Sequence, residues 1–593
     1  MKLRHVDGSW RTPGLLFFHQ ARAEAGVPLP RVGPFHALGH GPLFTQASNE
    51  HYAVFLEGLL FDAHTRSESD AEHVLALAGT GRLDETHDLN GFYNLVLIDK
   101  HAGVAQLSSD RASSRPWYLY EGHGLIGAAP SPLMFRELGL PMTWNRQAMY
   151  ESVRLLHPGG NRTLIEEIQR VQPGVGLSVR ADGTGQRFHF VDWRYEPAGG
   201  RGLDDLAAEI KDLVAESIRG VVRHPLLRER SLEVSLTGGM DSRHILGELL
   251  AQGHRPARIR HVVINDTERE PVEAICSGLD LPLKLCPAAE MDHSRLFDRW
   301  LTHSGGLVNL HQYYLLHMME DLPPRGVVGF DGYLMDWVLG SYTKDELRGL
   351  SAPVDRIWNR LSIMPQTLSL TFADAKKLSE RGKEEARADT RRFEGPPWFQ
   401  LLMLDFHRRG LHYTGGAFPL MGPDAEYFAP GACPRSLEFL MHADHQVGGN
   451  KRARLRAMQH YFPTLSHFPS SYGAPFDAYR QLRKTPASPM RYVKPWPRSL
   501  TSGFRHDPAP QTEHEWLRRP GPIKTLHKRI VDDSALAEDG HWRRRGLAFS
   551  WRIHQMGGYE AWALFSLASV EIAYRLLVRG QSPESLHDWL FTA

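Results

Sequence analysis

Residues 232–242 read Leu-Glu-Val-Ser-Leu-Thr-Gly-Gly-Met-Asp-Ser, and no other stretch constrains the chain as tightly. A short apolar run with a β-branched residue stops at Leu236. Thr237-Gly238-Gly239 follows, then Asp241-Ser242, then Arg243 to Leu250 with apolar residues at helical spacing. The pattern predicts strand, glycine turn, helix. Such a turn aims backbone N–H groups, a hydroxyl and a helix N-terminus at one point, which suits a phosphate. The glycines let the backbone approach the ligand closely. Asp241 repels phosphate, so its presence makes sense if a divalent cation bridges carboxylate and phosphates.

The chain has 593 residues, and at roughly 100–200 residues per domain several domains are expected. A hydrophobic content of 42% and a charged content of 23% are those of a globular protein. The net charge of +1 provides no global field to recruit nucleic acid or an anionic membrane. Three cysteines, Cys276, Cys286 and Cys433, make no disulfide framework and fit a reducing compartment. No signal peptide is evident at the start. Tyr559 to Leu577 carries Glu560, Glu571 and Arg575 and reads as an amphipathic helix, not a membrane span. The expected location is the cytoplasm.

Residues 1–195 are rich in short strand-like runs, among them Tyr52 to Gly58 and Gly91 to Asp99. Ser69-Asp70-Ala71-Glu72 has helix-capping character. Glu196 to Gly202 reads as a linker, and Leu203 to about Leu227 as a helix. Ala257–Ile264 and Leu281–Leu285 are expected strands flanking a helix over Glu270–Leu279. This alternation argues for a parallel sheet with helices packed on it, whose ligands sit outside the carboxyl ends of the strands. Beyond about residue 345 the pattern is mainly helical. Lys376 to Arg392 reads as a solvated helix, and Pro495 to Pro522 as a long surface loop. His442 and His445, at close spacing, are read as capping or solvated residues before metal ligands. The basic, aromatic stretch Arg491 to Arg505 is read as a surface loop before a nucleic-acid contact.

The segment Thr237-Gly238-Gly239-Met240-Asp241-Ser242 resembles the pyrophosphate loop Ser-Gly-Gly-x-Asp-Ser of the asparagine synthetase superfamily, with threonine keeping the hydroxyl. Leu89-Asn90-Gly91-Phe92, Asp99, Asp110-Arg111 and Pro116 to Tyr120 are similar to the glutaminase domain of that family. The resemblance implies an N-terminal-nucleophile-like αββα sandwich over 1–195. A parallel-sheet ATP-pyrophosphatase domain with a helical C-terminal part is implied over 203–593. One departure bears on activity. The family's glutaminase nucleophile is a cysteine at the start of the mature chain, whereas here Met1 precedes Lys2 and no cysteine occurs before Cys276. Glutamine hydrolysis by that route is then not expected. In this the chain is similar to β-lactam synthetase and the lasso-peptide cyclases, which take the amine from the substrate.

Arg325 to Phe330 reads as a further strand, followed by Asp331-Gly332-Tyr333-Leu334-Met335-Asp336 and Gly340-Ser341-Tyr342. By resemblance Asp336 joins Asp241 as a magnesium ligand, and Tyr333 is the catalytic base toward the amine. The plain alternatives are a helix cap for Asp336 and packing for Tyr333. The acid partner of the tyrosine is open, with Glu346 and Asp374 as candidates. Asn450 to Met458 with Tyr461-Phe462-Pro463 resembles the family's C-terminal helix. A second departure follows it: Ser471 stands where the family carries a lysine that stabilises developing charge. Lys484 or Lys494 are possible substitutes.

The resemblance therefore implies an ATP- and Mg2+-dependent amide ligase. Leu236, Thr237, Gly238, Gly239, Asp241 and Ser242 would hold the ATP pyrophosphate, and Asp241 and Asp336 the metal. The expected substrate is a small molecule or peptide bearing a carboxylate and an amine, closed within one molecule in natural-product or lasso-type biosynthesis. Biosynthetic partner proteins are possible; nucleic acid and membrane are not expected. Two other readings stay open: a degenerate binding or scaffold protein, and an adenylating enzyme whose acceptor is a hydroxyl, a thiol or water.

Overall fold

The computed structural model describes residues 14–19, 30–61, 69–263, 266–320, 326–338, 353–358, 365–416, 420–421, 425–449, 451–479, 513–556 and 560–591. In chain order the strands are β1 (Gly14–Phe18), β2 (Arg31–Val32), β3 (Phe35–His40), β4 (Phe44–Ser48), β5 (Tyr52–Leu60), β6 (Gly91–Asp99), β7 (Val104–Ser109), β8 (Tyr118–Gly122), β9 (Leu125–Ala129), β10 (Ile168–Arg170), β11 (Val175–Arg180) and β12 (Gly185–His189). The second half holds β13 (Ser231–Ser235), β14 (Arg258–Val263), β15 (Leu283–Pro287), β16 (Val327–Phe330) and β17 (Glu426–Phe428).

The first twelve strands form two six-stranded sheets, in the orders β10-β8-β9-β1-β3-β2 and β12-β11-β7-β6-β5-β4. Every pairing within them is antiparallel. Strand alternation explains the layering. Leu15 and Phe17 of β1 meet Phe55, Val96 and Ile98 of the facing sheet, while Leu16 and Phe18 point the other way. On the far side of the second sheet, Val54 and Leu56 of β5 and Leu95 and Leu97 of β6 pack on the helix Asp70–Gly79. That helix opens on a capping box: Ser69 Oγ accepts from Glu72 N at 3.3 Å, and Glu72 Oε2 accepts from Ser69 N at 2.7 Å. The outer face of the first sheet is covered by the helix Arg146–Leu155 and by C-terminal helices, so residues from both ends of the chain share one core.

The last five strands make a wholly parallel sheet in the order β15-β14-β13-β16-β17. β13 is central, with Glu233 and Val234 paired to Arg258 and Ile259 on one side and to Gly329 and Phe330 on the other. The helices Leu203–Arg223, Asp241–Ala251 and Asp266–Gly278 accompany it. The molecule is therefore mixed α/β, with a sandwich preceding a parallel sheet and a helical C-terminal region.

Two expectations need correction. The helix Ala561–Leu577 is buried on all sides except at Trp562, so it is a core helix and not an amphipathic surface one. Its charges are neutralised internally: Arg575 Nε donates to Glu571 Oε1 at 2.8 Å, and Glu571 also accepts from Ser534 Oγ and Ala535 N. Of the expected loop over 495–522, residues 495–512 lie outside the described residues, and the remainder holds the helix Glu513–Arg518, whose Leu517 is buried, with Pro522 opening the helix that runs to Asp532. The helix Ala375–Thr390 is exposed as expected except along Leu378, Gly382, Ala386 and Thr390. Gly340-Ser341-Tyr342, Glu346, Asn450, Lys484, Lys494 and the stretch 491–505 lie outside the described residues. Among the described residues no helix is long and apolar enough to cross a membrane.

Burial of Glu248, on the helix that follows the glycine turn, raises its carboxyl to about 7. The folded state then binds this proton more tightly than the unfolded chain does. The contribution is full below about 4.5, is lost as pH rises toward 7, and is flat above, amounting to up to about 3 kcal/mol. Glu248→Gln should narrow the difference in thermal midpoint between pH 5 and pH 8. An unchanged difference would show that this carboxyl does not titrate in that window.

Candidate functional site

The turn after β13 is held by its own side chains. Thr237 N donates to Ser242 Oγ at 3.0 Å, and Gly239 N donates to Thr237 Oγ1 at 3.2 Å. Gly238 N donates to Glu268 Oε2 at 2.8 Å, so a carboxylate oxygen already sits on one N–H of the loop. Leu236 is buried and anchors the turn through its backbone, with its N–H donating to Arg260 O at 3.0 Å and its carbonyl meeting His261 Nδ1 at 2.9 Å. Glycine at 238 permits close contact with the chain at 471: Ser471 N donates to Gly238 O at 3.1 Å, and a Cβ on residue 238 would lie 3.0 Å from Ser471 Cβ. The position expected to carry a lysine thus lies directly against the loop, as an exposed serine.

Arg243, in the first turn of the following helix, ties these parts together. Its guanidinium is fully buried and donates to the carbonyls of Leu465 (3.0 Å), Phe468 (3.1 Å), Pro469 (2.6 Å) and Gly238 (3.3 Å). It also lies 4.6 Å from the centroid of the Phe476 ring. Desolvation lowers its pKa to about 10. Five donors in a rigid fork suit this convergence of carbonyls, which a lysine would not satisfy.

Asp241 and Asp336 are brought to one place. Asp241 begins the helix after β13, and Asp336 lies in the short helix Met335–Val338 after the neighbouring strand β16. Gly332 makes the approach possible, since a Cβ there would lie 2.6 Å from Asp241 Cβ. Between the carboxylates sits Arg454, from the helix Arg452–Tyr461. Its Nη1 donates to Asp336 Oδ1 at 2.8 Å, and its Nη2 forms an ion pair with Asp241 Oδ1. Lys451 Nζ lies 2.6 Å from the same Asp336 oxygen and donates to Tyr472 OH at 3.0 Å. Arg454 is 0% exposed and Lys451 is nearly buried, whereas the two aspartates remain partly open to solvent. Burial lowers Arg454 to about 10; burial acts in the same sense on Lys451, but Asp336 and Tyr472 outweigh it and raise that ammonium. Both remain cationic near neutral pH.

The expected magnesium ion is tested by this arrangement. Two carboxylates already matched by two resident cations leave no net negative charge for a divalent ion, so the residues as arranged do not fit it. Among the described residues no group of three or more His, Cys, Asp or Glu is placed to hold a metal.

Tyr333 lies deeper. It is 9% exposed, and its hydroxyl donates to Gly410 O at 2.9 Å. Burial pushes the phenol well above its ordinary value, the opposite of what a general base requires. Its backbone N–H is held by Asp331 Oδ1 at 2.7 Å. Asp374, a candidate acid partner, binds Arg146 at 2.8 Å instead. His442 and His445 contact the carbonyls of Glu196 and Leu440, in keeping with a structural role. The three cysteines are buried, and desolvation raises Cys276 to about 11 and Cys433 to about 12, so neither is an activated thiol.

The N-terminal residues singled out in the sequence bind the second half of the chain. Asn90 Nδ2 donates to Glu216 Oε1 at 3.1 Å, and Cys433 Sγ donates to Asn90 Oδ1 at 3.3 Å. Arg111 pairs with Glu438 and, at 2.7 Å, with Asp88. Asp110 is wholly buried, accepts from the N–H groups of Tyr93, Ala112 and Ser114 and from Ser114 Oγ, and is raised by burial to about 6.

Sequence reasoning assigned no site role to Arg243, Glu268, Lys451 or Arg454. For Arg454 a signal existed: on its helix the neighbours Ala453, Leu455, Ala457 and Met458 are apolar. Arg452 and Arg456 share that stretch, however, and only the fold shows which arginine turns inward.

Residues 55–190 match the glutamine amidotransferase domain family. No curated protein matches the chain. Among solved structures, the chain is similar to glutamine phosphoribosylpyrophosphate amidotransferase from B. subtilis complexed with ADP and GMP, at 11% identity and a TM-score of 0.19, covering 42% of this chain and 63% of that one. It is also similar to a structure described as the allosteric regulatory enzyme of purine biosynthesis, at 13% identity and a TM-score of 0.19, covering 41% and 62%. The chain thus spans less than two thirds of the length of either.

Arg243→Met should leave four carbonyls without their donor and cost about 3 kcal/mol in urea unfolding. It should also open residues 465–476 to protease under native conditions. Wild-type stability with a wild-type cleavage pattern would remove Arg243 from this role.

Proposed function

We propose that this chain is an ATP-dependent carbon–nitrogen ligase that forms AMP. It would activate a substrate carboxylate and pass the acyl group to an amine, within one small molecule or peptide, without hydrolysing glutamine. The observation that carries this reading is the meeting of the Thr237–Ser242 turn with Asp241 and Asp336 at the carboxyl ends of adjacent parallel strands. Ligands of such sheets bind there. The glutamine amidotransferase-type domain ahead of it supports an amidotransferase-like synthetase. The three buried cysteines give no support to a thiol-dependent supply of ammonia.

The chemistry is a balanced pair of transfers. A carboxylate oxygen attacks the α-phosphorus of ATP, the bond to the β-phosphate oxygen breaks, and pyrophosphate leaves with acyl-adenylate formed. A neutral amine then attacks the acyl carbon, AMP leaves, and one proton is lost from nitrogen. In this reading the N–H groups of residues 237–239 and the hydroxyls of Thr237 and Ser242 bind the departing pyrophosphate, after Glu268 yields Gly238 N and the Ser242 and Thr237 hydroxyls yield Thr237 N and Gly239 N. Lys451 and Arg454 contribute the positive charge that Ser471 lacks. Tyr333 is retained as the base candidate, which requires its phenol to leave Gly410 O.

One observation favours a second reading. Asp241 and Asp336 are neutralised by resident side chains, as in a site that has stopped turning over and serves for binding or scaffolding. ATP–pyrophosphate exchange against pools of carboxylates and peptides separates the two. Exchange that falls about 100-fold in Asp241→Asn is expected. Absence of exchange together with absence of ATP binding would leave the scaffold.

Tyr333→Phe should cost about 1 kcal/mol of stability through the lost bond to Gly410 O. If the phenol is also the base, exchange survives in this variant while amide formation falls and its pH profile moves. An unaltered rate of amide formation assigns Tyr333 to packing alone.

A further inference from the structure

The contacts around the glycine turn close on themselves. Gly238 O meets Ser471 N, and the adjacent Tyr472 OH accepts from Lys451 Nζ. Lys451 reaches Asp336, Arg454 joins Asp336 to Asp241, and Asp241 packs against Gly332 beside the same turn. Lys451 holds its place through a left-handed backbone, with φ of 61°, which bends the chain just before the helix that carries Arg454. Arg454 spans the two carboxylates with its two terminal nitrogens, as the planar guanidinium fork allows. Its Nε and Nη2, both buried, make no hydrogen bond among the described residues, so the contact of Nη2 with Asp241 Oδ1 is an ion pair only.

We propose that Arg454, with Lys451 beside it, takes the place of a shared divalent cation between Asp241 and Asp336, so that a pyrophosphate group binds at the Thr237–Ser242 turn without a protein-bound metal. This inference rests on the proposed function, because it concerns how the same phosphate site is charged. The physical argument is electroneutrality. A divalent ion entering between the aspartates must either add two charges to a balanced cluster or displace a guanidinium that is sealed from water. Both are unfavourable next to leaving the internal cation in place. The guanidinium is permanently charged and pre-positioned, and it directs N–H groups that a bare ion lacks.

Calorimetric titration of the full chain with pyrophosphate, in Mg2+ and in excess EDTA, tests this. The wild-type affinity should differ by less than about threefold between the two conditions, since its cations are internal. In Arg454→Met the affinity in EDTA should fall by about tenfold or more, with Mg2+ restoring it by entering the vacated space. If that variant does not fold, Arg454→Lys keeps a charge but not the fork and should show a smaller loss in EDTA. Wild-type binding that collapses in EDTA overturns the inference and leaves the proposed function standing. So does an Arg454 variant that binds as the wild type does in EDTA. Absence of pyrophosphate and ATP binding in both conditions overturns the inference and the proposed function together.

Discussion

The guanidinium of Arg454, sealed from water between two carboxylates on the helices that follow β13 and β16, governs the geometry of the parallel-sheet half. Removing either aspartate would leave a buried charge with half its partners, and removing the arginine would set two carboxylates against each other. The arginine is costly to separate from its partners because it has already lost its hydration. The consequence is positional. The turn after β13 and the loop after β16 are locked at one end of the sheet, and the helix Arg452–Tyr461 is locked across them. Arg243 acts in the same way in the first turn of the helix that Asp241 opens, holding residues 465–469 against the glycine turn through backbone carbonyls.

The N-terminal sandwich is joined to this framework by Asn90, Arg111 and Arg115. Asn90 and Arg111 reach across to Glu216, Cys433 and Glu438, and Arg115 binds both Glu57 at 2.6 Å and Glu426 at 3.5 Å. Glu426 belongs to β17, the edge of the parallel sheet, and Glu57 to β5 of the sandwich. A single guanidinium therefore couples a strand of each half. The helix Ala561–Leu577 reinforces the union from the other side, since it shares a core with β1 and with the helix Arg146–Leu155. Residues of the amidotransferase-type domain thus serve as an attachment surface for the rest of the chain.

Much of this organisation is legible without coordinates, and the reasons are local. The strands β5 and β6 follow from short apolar runs bounded by turn residues, and the capping box at Ser69 from a four-residue signature. The turn at 237–242 follows from two glycines placed between an apolar run and a helical one. The burial of the helix Ala561–Leu577 is not legible in the chain because its few charges give it an amphipathic pattern, whereas Glu571 and Arg575 neutralise each other inside the core. The helix at Glu513–Arg518 escaped notice because nearby prolines dominate the local pattern, although Trp516 and Leu517 turn toward the core. Tyr333 illustrates a different limit. Its position in a motif is visible in the chain, but whether its hydroxyl meets a substrate or the carbonyl of Gly410 depends on how residues 406–416 fold beside it.

The order of residues by itself determined the strand–helix alternation behind the parallel sheet and the glycine turn between strand and helix, because each is written in spacing over a few neighbouring positions, whereas the sandwich and the second carboxylate are what the family resemblance implies. Only the tertiary structure decided what stands between those carboxylates. Arg452, Arg454 and Arg456 are alike in composition and nearly alike in context. The one that becomes an internal cation is selected by the rotation of its helix and by the left-handed residue before it, which turn a single side chain into the space that Asp241 and Asp336 enclose.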